Sequence, residues 1–337
     1  MRYLFKTGVT LALALGFAAP ALAQSKKEVI VAHQDMNVPY RIVMESGELE
    51  KATGYKINWR MFGGGGDVIR AMSSGDVQIG EAGSSPIAAA ASQGLPVQLF
   101  WILDDIADAE ALVARNGANI ARVADLKGKR VGVPFVSTTH YHLLFALQRA
   151  KVDPKSVDIR NMRPPEIAAA WERGDIDATF IWDPVLAKTK ASGKVILTSG
   201  ELTKAGRPTF DGMIVSNKFA AEHPDFVVAM VRALAKADAD YRTNKAKWTS
   251  DSPQVKAVAK WTKADAKNVP AAMALYKFPT LEEQVSPAWL GGGTKSLAAK
   301  ALADTAAFLK EQGRVQAVAS DYSKFVTPAF AAKALGK

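Results

Sequence analysis

The chain has 337 residues, 43 Lys and Arg against 33 Asp and Glu, a net charge of +10 and no cysteine. A disulfide framework, a thiolate metal site and a lipid-anchor cysteine are therefore excluded. The basic residues are scattered, as at Lys256, Lys260 and Lys263, so they read as solvated helix faces and no nucleic-acid partner is expected.

Arg2 and Lys6 precede an apolar run over residues 9–19, Pro20 breaks it, and Ala21-Leu22-Ala23 follows. This is the layout of a cleavable secretory signal, so residues 1–23 are expected to be a signal peptide cut after Ala23. The apolar run is shorter than the roughly 20 residues a membrane span needs. Cleavage would leave 314 residues with a net charge of +8, about two domains by size.

Short apolar or β-branched runs then alternate with helical patterns. Strands are predicted over residues 29–32, 55–62, 77–80, 97–103, 111–114, 130–133, 157–161 and 179–182. Helices are predicted over 38–52, 67–74, 85–92, 138–150 and 165–173. Such alternation predicts an α/β fold with largely parallel sheets. Beyond residue 217 the pattern turns helical, with single apolar stripes over 226–241, 255–261 and 297–312 that must pack on the earlier layers. The chain shows no internal repeat and no low-complexity linker. Two lobes joined by short crossing segments are expected, with a ligand between them.

Two segments place small hydroxyl residues where a strand gives way to a helix. One is Gly83-Ser84-Ser85-Pro86, with Ser84 or Ser85 suited to the N-cap and Pro86 to the first turn. The other is Ser137-Thr138-Thr139-His140, entering an apolar helix. Helix N-termini expose unpaired N–H groups and partial positive charge, which suits an anionic head group. Ordinary capping explains any single Ser or Thr here, whereas paired runs supply more hydroxyls than a cap needs. Gly63-Gly64-Gly65-Gly66 lacks the Gly-Lys-Ser/Thr ending of a phosphate loop and reads as a strand–helix turn near a cleft mouth. His140 and His142 are two apart, a poor spacing for metal ligands on a helix, and no metal or cofactor is expected.

In chain order, SGDVQIG at 74–80, GSSP at 83–86, VPFVSTTHY at 133–141, AAWERGDID at 169–177, FLKEQG at 308–313 and DYS at 321–323 together resemble the taurine-binding periplasmic proteins of ABC importers. That group sits in a wider sulfonate, nitrate and taurine solute-binding family. The resemblance covers nearly the whole chain after residue 23. It implies a two-lobe periplasmic binding protein, type II-like, with mixed or parallel sheets flanked by helices and a helical C-terminal third. Lobe 1 is expected over 24–115 plus 216–337 and lobe 2 over 116–215. It also implies a monomeric receptor in the periplasm that captures taurine or a related aminoalkanesulfonate for an inner-membrane ABC permease.

Carried over by position, the resemblance assigns the sulfonate to Ser84, Ser85, Ser137, Thr138, Thr139 and backbone N–H groups near His140. It assigns the ammonium to Asp211, with Trp182 as wall and Gln34 as a polar contact. Glu81 and Asp183 stand where the family pattern has uncharged residues, and either could add negative charge to the cleft or be neutralised by a nearby Arg or Lys. Two alternatives stay open. One is a receptor for another small anion or amine, such as an alkanesulfonate or nitrate. The other is a periplasmic enzyme on the same fold, for which Ser137 and His140 are the imaginable nucleophile and base, although no G-x-S-x-G elbow is present.

Overall fold

The computed structural model describes residues 27–337; the expected signal peptide and its cleavage site lie outside the described residues. Ten strands form among these: β1 Glu28–His33, β2 Lys56–Met61, β3 Ile79–Gly83, β4 Val97–Asp105, β5 Glu110–Arg115, β6 Arg130–Val133, β7 Asp158–Asn161, β8 Ala178–Trp182, β9 Gly193–Thr198 and β10 Phe210–Ser216. They build two five-stranded sheets of matching order, β2-β1-β3-β10-β4 and β7-β6-β8-β5-β9. In each sheet three strands run parallel, and the fourth position holds a strand antiparallel to both neighbours, β10 in the first sheet and β5 in the second.

This arrangement moves the lobe boundaries from those expected at 115/116 and 215/216. Strand β5 belongs to the second sheet and β10 to the first. The chain therefore crosses between lobes at residues 106–109 and again at 199–209. Apolar runs reveal strands but not which sheet they join, and hydrogen-bond pairing alone decides that.

Two further differences have local causes. The segment 38–52 is two helices, Arg41–Ser46 and Glu48–Thr53, because Gly47 between them takes a left-handed φ of 63°. Strands β9 and β10 were not visible as apolar runs. In β10 the pair Asp211-Gly212 interrupts the pattern, yet the strand is buried from Phe210 to Val215 because it lies between β3 and β4.

The helical C-terminal third packs as its stripes require. Its helices include Pro224–Asn244, Pro253–Thr262 and Leu297–Glu311. The last of these touches both lobes. Ala298, Ala301, Leu302 and Ala306 join the first lobe's core beside Val97, Leu99 and Ile214, while Phe308 and Leu309 join the second lobe's core beside Leu126, Val131, Tyr141 and Leu144. Phe308 meets Tyr141 edge-on at 5.3 Å between ring centroids. Truncating a buried Phe costs about 3–5 kcal/mol. Phe308→Ala is therefore expected to lower the unfolding free energy by about 3 kcal/mol in urea titrations, and a loss below ~1 kcal/mol would show that the second lobe does not depend on this helix.

Candidate ligand-binding site

The two hydroxyl-bearing helix starts come from different lobes and converge. Strand β3 runs directly into the helix Ser84–Ser92, and β6 leads through residues 134–137 into the helix Thr138–Arg149. They meet at Gly83, where an added Cβ would lie 2.8 Å from Thr138 Cγ2 and 3.2 Å from Asp211 Oδ1. Such contacts leave no room for a side chain, so glycine alone keeps this point open. Gly65, from the four-glycine run, is held as tightly, since its Cβ would sit 2.5 Å from Pro86 Cγ.

The capping differs between the two. Ser137 is a side-chain N-cap, its Oγ accepting from the His140 N–H at 3.0 Å. The same Oγ bonds Thr139 Oγ1 at 2.8 Å, and Thr138 Oγ1 donates to Glu110 Oε1. At the other helix the N-cap is Gly83, which has no side chain to bond. Ser84 and Ser85 stand inside the helix instead of capping it. Ser84 Oγ accepts from the Phe210 N–H at 3.4 Å. Ser85 Oγ is buried without a partner, so the spare hydroxyl is at Ser85 and not in the Ser-Thr-Thr run. Ser84, Ser85, Thr138 and Thr139 are the first two residues of their helices, so their backbone N–H groups have no intrahelical acceptor. Together they form a donor surface with two helix N-termini behind it.

Carboxyls stand beside these helix starts. A narrow cavity with about 300 Å³ of empty space, partly continuous with solvent, is lined by Gly83, Ser137, Thr138, Glu110, Asp211 and Tyr276, with Gln34, Met36 and Trp182 closing one side. Burial, with Glu110 and Glu81 nearby, pushes the Asp211 carboxyl well above the carboxylate range. Burial alone pushes Glu110 up to about 7, against hydrogen bonds from Thr138 and Ser199 that favour its anion.

Glu110 also begins a chain of hydrogen bonds. Ser199 Oγ lies 3.1 Å from Glu110 Oε2 and 2.8 Å from His142 Nδ1, and His142 Nε2 is 2.9 Å from the Arg207 carbonyl. A carbonyl only accepts, so Nε2 carries a hydrogen, and burial lowers His142 to about 4, which keeps the ring neutral. The Ser199 hydroxyl thereby sits between two acceptors, Glu110 Oε2 and His142 Nδ1. Ser199 and Arg207 both lie in the second crossing segment, so Glu110 is bonded directly to it.

The other expected residues fall in different places. Trp182 lines the cavity with its Nε1 donating to Asp35 Oδ1 at 2.8 Å, and burial raises Asp35 to about 6. Gln34 follows β1 and is tied to Glu81 through its own N–H at 3.2 Å. Glu81 itself does not line the cavity. It forms a fully buried, two-pronged pair with Arg41, Nη1 to Oε2 at 2.9 Å and Nη2 to Oε1 at 3.2 Å, and it also accepts from Tyr40. Asp183 accepts from the Ala187 N–H at 2.9 Å. The His140 imidazole stacks on Phe135 at 4.4 Å, away from the cavity, and burial beside Arg314 lowers it to about 3. Ser137 meets His140 through the backbone and not through the ring.

Glu110, Asp104, Met36 and Tyr276 were not singled out from the sequence. Glu110 had a faint signal, a lone acid opening an apolar strand; Tyr276 in a loop had none. At the cleft mouth an outer space of about 940 Å³ lies between Gly63, Gly66 and Asp67 of one lobe and Phe135, Val136 and Arg163 of the other. Arg163 Nε donates to Asp67 Oδ2 at 3.2 Å across it.

The family model described as NMT1/THI5 like matches residues 51–245. The chain belongs to this family. The taurine-binding periplasmic protein of Escherichia coli K12 is 39% identical over 321 residues, covering 95% of this chain and 97% of that protein. In fold, this NMT1/THI5-like chain is similar to the alkanesulfonate-binding protein SsuA from Xanthomonas axonopodis pv. citri bound to MOPS, with a TM-score of 0.70 at 21% identity over 86% of this chain and 94% of that one. A cysteine-to-serine mutant of DSZB in complex with biphenyl-2-sulfinic acid shares the fold at a TM-score of 0.63 and 16% identity, over 92% and 99% of the two chains.

Two outcomes follow for this family member. Replacing Arg41 by Met leaves the Glu81 carboxylate buried and unpaired, which costs about 3–5 kcal/mol, whereas removing both charges restores most of that; comparing urea midpoints of Arg41→Met and the Arg41→Met, Glu81→Met double variant checks this. Glu110 stays protonated in the folded state up to about 7, against its ordinary value of 4.5. Its stabilising contribution is therefore full below pH 4.5 and lost as pH rises through 7, a change on the order of 3 kcal/mol. The stability of the wild type relative to Glu110→Gln is expected to fall between pH 4.5 and 8, and a constant difference across that range would contradict the assignment.

Proposed function

We propose that this chain is the periplasmic solute-binding component of an ABC importer, capturing taurine or a related aminoalkanesulfonate between its lobes and delivering it to an inner-membrane permease. One observation carries the reading: two helix starts, one from each lobe, and the buried carboxyls of Asp211 and Glu110 line one small cavity. A donor surface of that kind suits a sulfonate, and a carboxylate suits an ammonium. The likeness to the taurine-binding and alkanesulfonate-binding proteins supports the same ligand class.

Size supports burial between lobes. Taurine has about seven heavy atoms, and the best small ligands gain roughly 1.5 kcal/mol per atom, a ceiling near 10 kcal/mol. Micromolar affinity already needs about 8 kcal/mol. Nearly every ligand atom must then be contacted, which a cleft closing from both sides achieves and an open surface does not. The shared fold with DSZB keeps an enzymatic reading in view. The chain has no cysteine, and the Ser137–His140 contact is a helix cap, so binding without chemistry is the reading favoured.

Isothermal titration against taurine, ethanesulfonate, nitrate and simple amines tests it. Taurine is expected to bind most tightly. Asp211→Asn is expected to weaken taurine about 10–100-fold, the worth of a hydrogen bond to a charged group, while changing ethanesulfonate little. Equal losses for both would remove Asp211 from the ammonium role, and a failure of every sulfonate to bind would overturn the ligand class.

A further inference from the structure

Strands β4 and β10 pair with Asp104 opposite Asp211. Directly opposed side chains lie on one face of a sheet, and the two carboxyls are close enough for the charge of Asp211 to act on Asp104. Both Asp104 oxygens are buried and meet no N–H or O–H donor among the described residues. Two ionised carboxylates are acceptors only and cannot bond one another.

The surroundings offer no cation to resolve this. Glu81 approaches from β3, its charge matched by Arg41. Glu110 approaches from β5, and Tyr276 and Asp183 face the same region. Asp105, next along β4, has its own partner in Lys277 at 3.9 Å. A proton on one of the two lets it donate to the other. We propose that Asp104 is a positioning residue, a neutral carboxylic acid that donates its hydrogen to Asp211 and holds the Asp211 carboxylate, negatively charged, towards the cationic end of the ligand.

This inference rests on the reading of the cleft as an aminosulfonate seat. The titration behaviour agrees with it. Burial and the negative neighbours Asp211, Glu81 and Asp105 drive Asp104 well above the carboxylate range; burial, Glu110 and Glu81 raise Asp211 as well, and the bond from Asp104 works against that rise. Asp211 lines the cavity and Asp104 does not, so a ligand cation can meet the charge of Asp211 alone, and the proton is assigned to Asp104. With that proton in place the pair carries at most one negative charge, on the residue that lines the cavity, and a ligand cation there favours the Asp211 anion. Asp211 Oδ1 stands beside Gly83, where the two helix starts meet. A carboxylic acid kept neutral by its surroundings so that it can donate a hydrogen bond is an established device in protein sites.

The test compares Asp104→Asn, whose amide still donates, with Asp104→Leu, which cannot, using taurine and ethanesulfonate as probes. Asp104→Asn is expected to bind taurine within about threefold of wild type. Asp104→Leu is expected to lose roughly 10–30-fold for taurine and little for ethanesulfonate. Equal losses in the two variants, or equal losses for the two ligands, would overturn the positioning role. A second readout needs no ligand and no Leu variant. The infrared difference spectrum of wild type minus Asp104→Asn at neutral pH is expected to show the carbonyl band of a protonated carboxylic acid, and its absence would refute the proposal whatever binds. If that band is present but no sulfonate binds the wild type, the proton assignment stands and the receptor reading fails.

Discussion

The arrangement depends on charge held apart inside a low-dielectric gap. Partial positive charge from the starts of the helices Ser84–Ser92 and Thr138–Arg149 stands beside the carboxyls of Asp211 and Glu110, with Gly83 at the point of contact. Each component would be costly to bury alone. Backbone N–H groups without acceptors and carboxyls without cations both forfeit their hydration. Such a constellation persists in a folded chain when a ligand of matching polarity completes it, or when protons neutralise it in the meantime.

Protons do that work on the acidic side. Asp211, Asp104, Glu110 and Asp35 are all driven towards their neutral forms by burial, and the one buried cation close by, Arg41, is committed to Glu81. The Arg41–Glu81 pair also anchors the segment after β1, because Arg41 donates to the carbonyls of Gln34 and Met36. An ion pair off the cavity thereby shapes the wall in which Gln34 and Met36 stand. On the other lobe Glu110 is joined through Ser199 and His142 to the second crossing segment, so the cleft and the connection between lobes share one hydrogen-bond network.

The connections explain how two similar sheets make one site. Exchange of β5 and β10 between the halves of the chain puts Asp211 in the middle of the first sheet and Glu110 at the start of a strand in the second, within one cavity. The helix Leu297–Glu311 and the contact between Asp67 and Arg163 span the same division. The lobes are therefore linked by two crossings, a packed helix and a polar contact at the mouth.

Much of this was legible in the linear chain. Alternating apolar runs located eight of the strands to within a few residues, because hydrophobic periodicity and local breakers act over short stretches. The hydroxyl runs at Ser84-Ser85 and Ser137-Thr138-Thr139 marked two helix starts by their local chemistry alone. Strand β10 was hidden because the residues that serve the cavity, Asp211 and Gly212, break the apolar pattern that would have revealed it. Glu110 and Asp104 stand 101 and 107 positions from Asp211 in one sense of the chain, and no local signal relates them.

The sequence by itself determined the element types, the two-lobe α/β plan and the anion-suited helix starts, since these rest on propensity, periodicity and capping. Tertiary structure decided which sheet each strand joins, that Glu81 is spent on Arg41, that Ser85 and not the Ser-Thr-Thr run keeps an unpaired hydroxyl, and that Asp104 stands against Asp211. The reason is physical: pairing across sheets and the desolvation of charge depend on neighbours distant in the chain, and only folding brings those neighbours together.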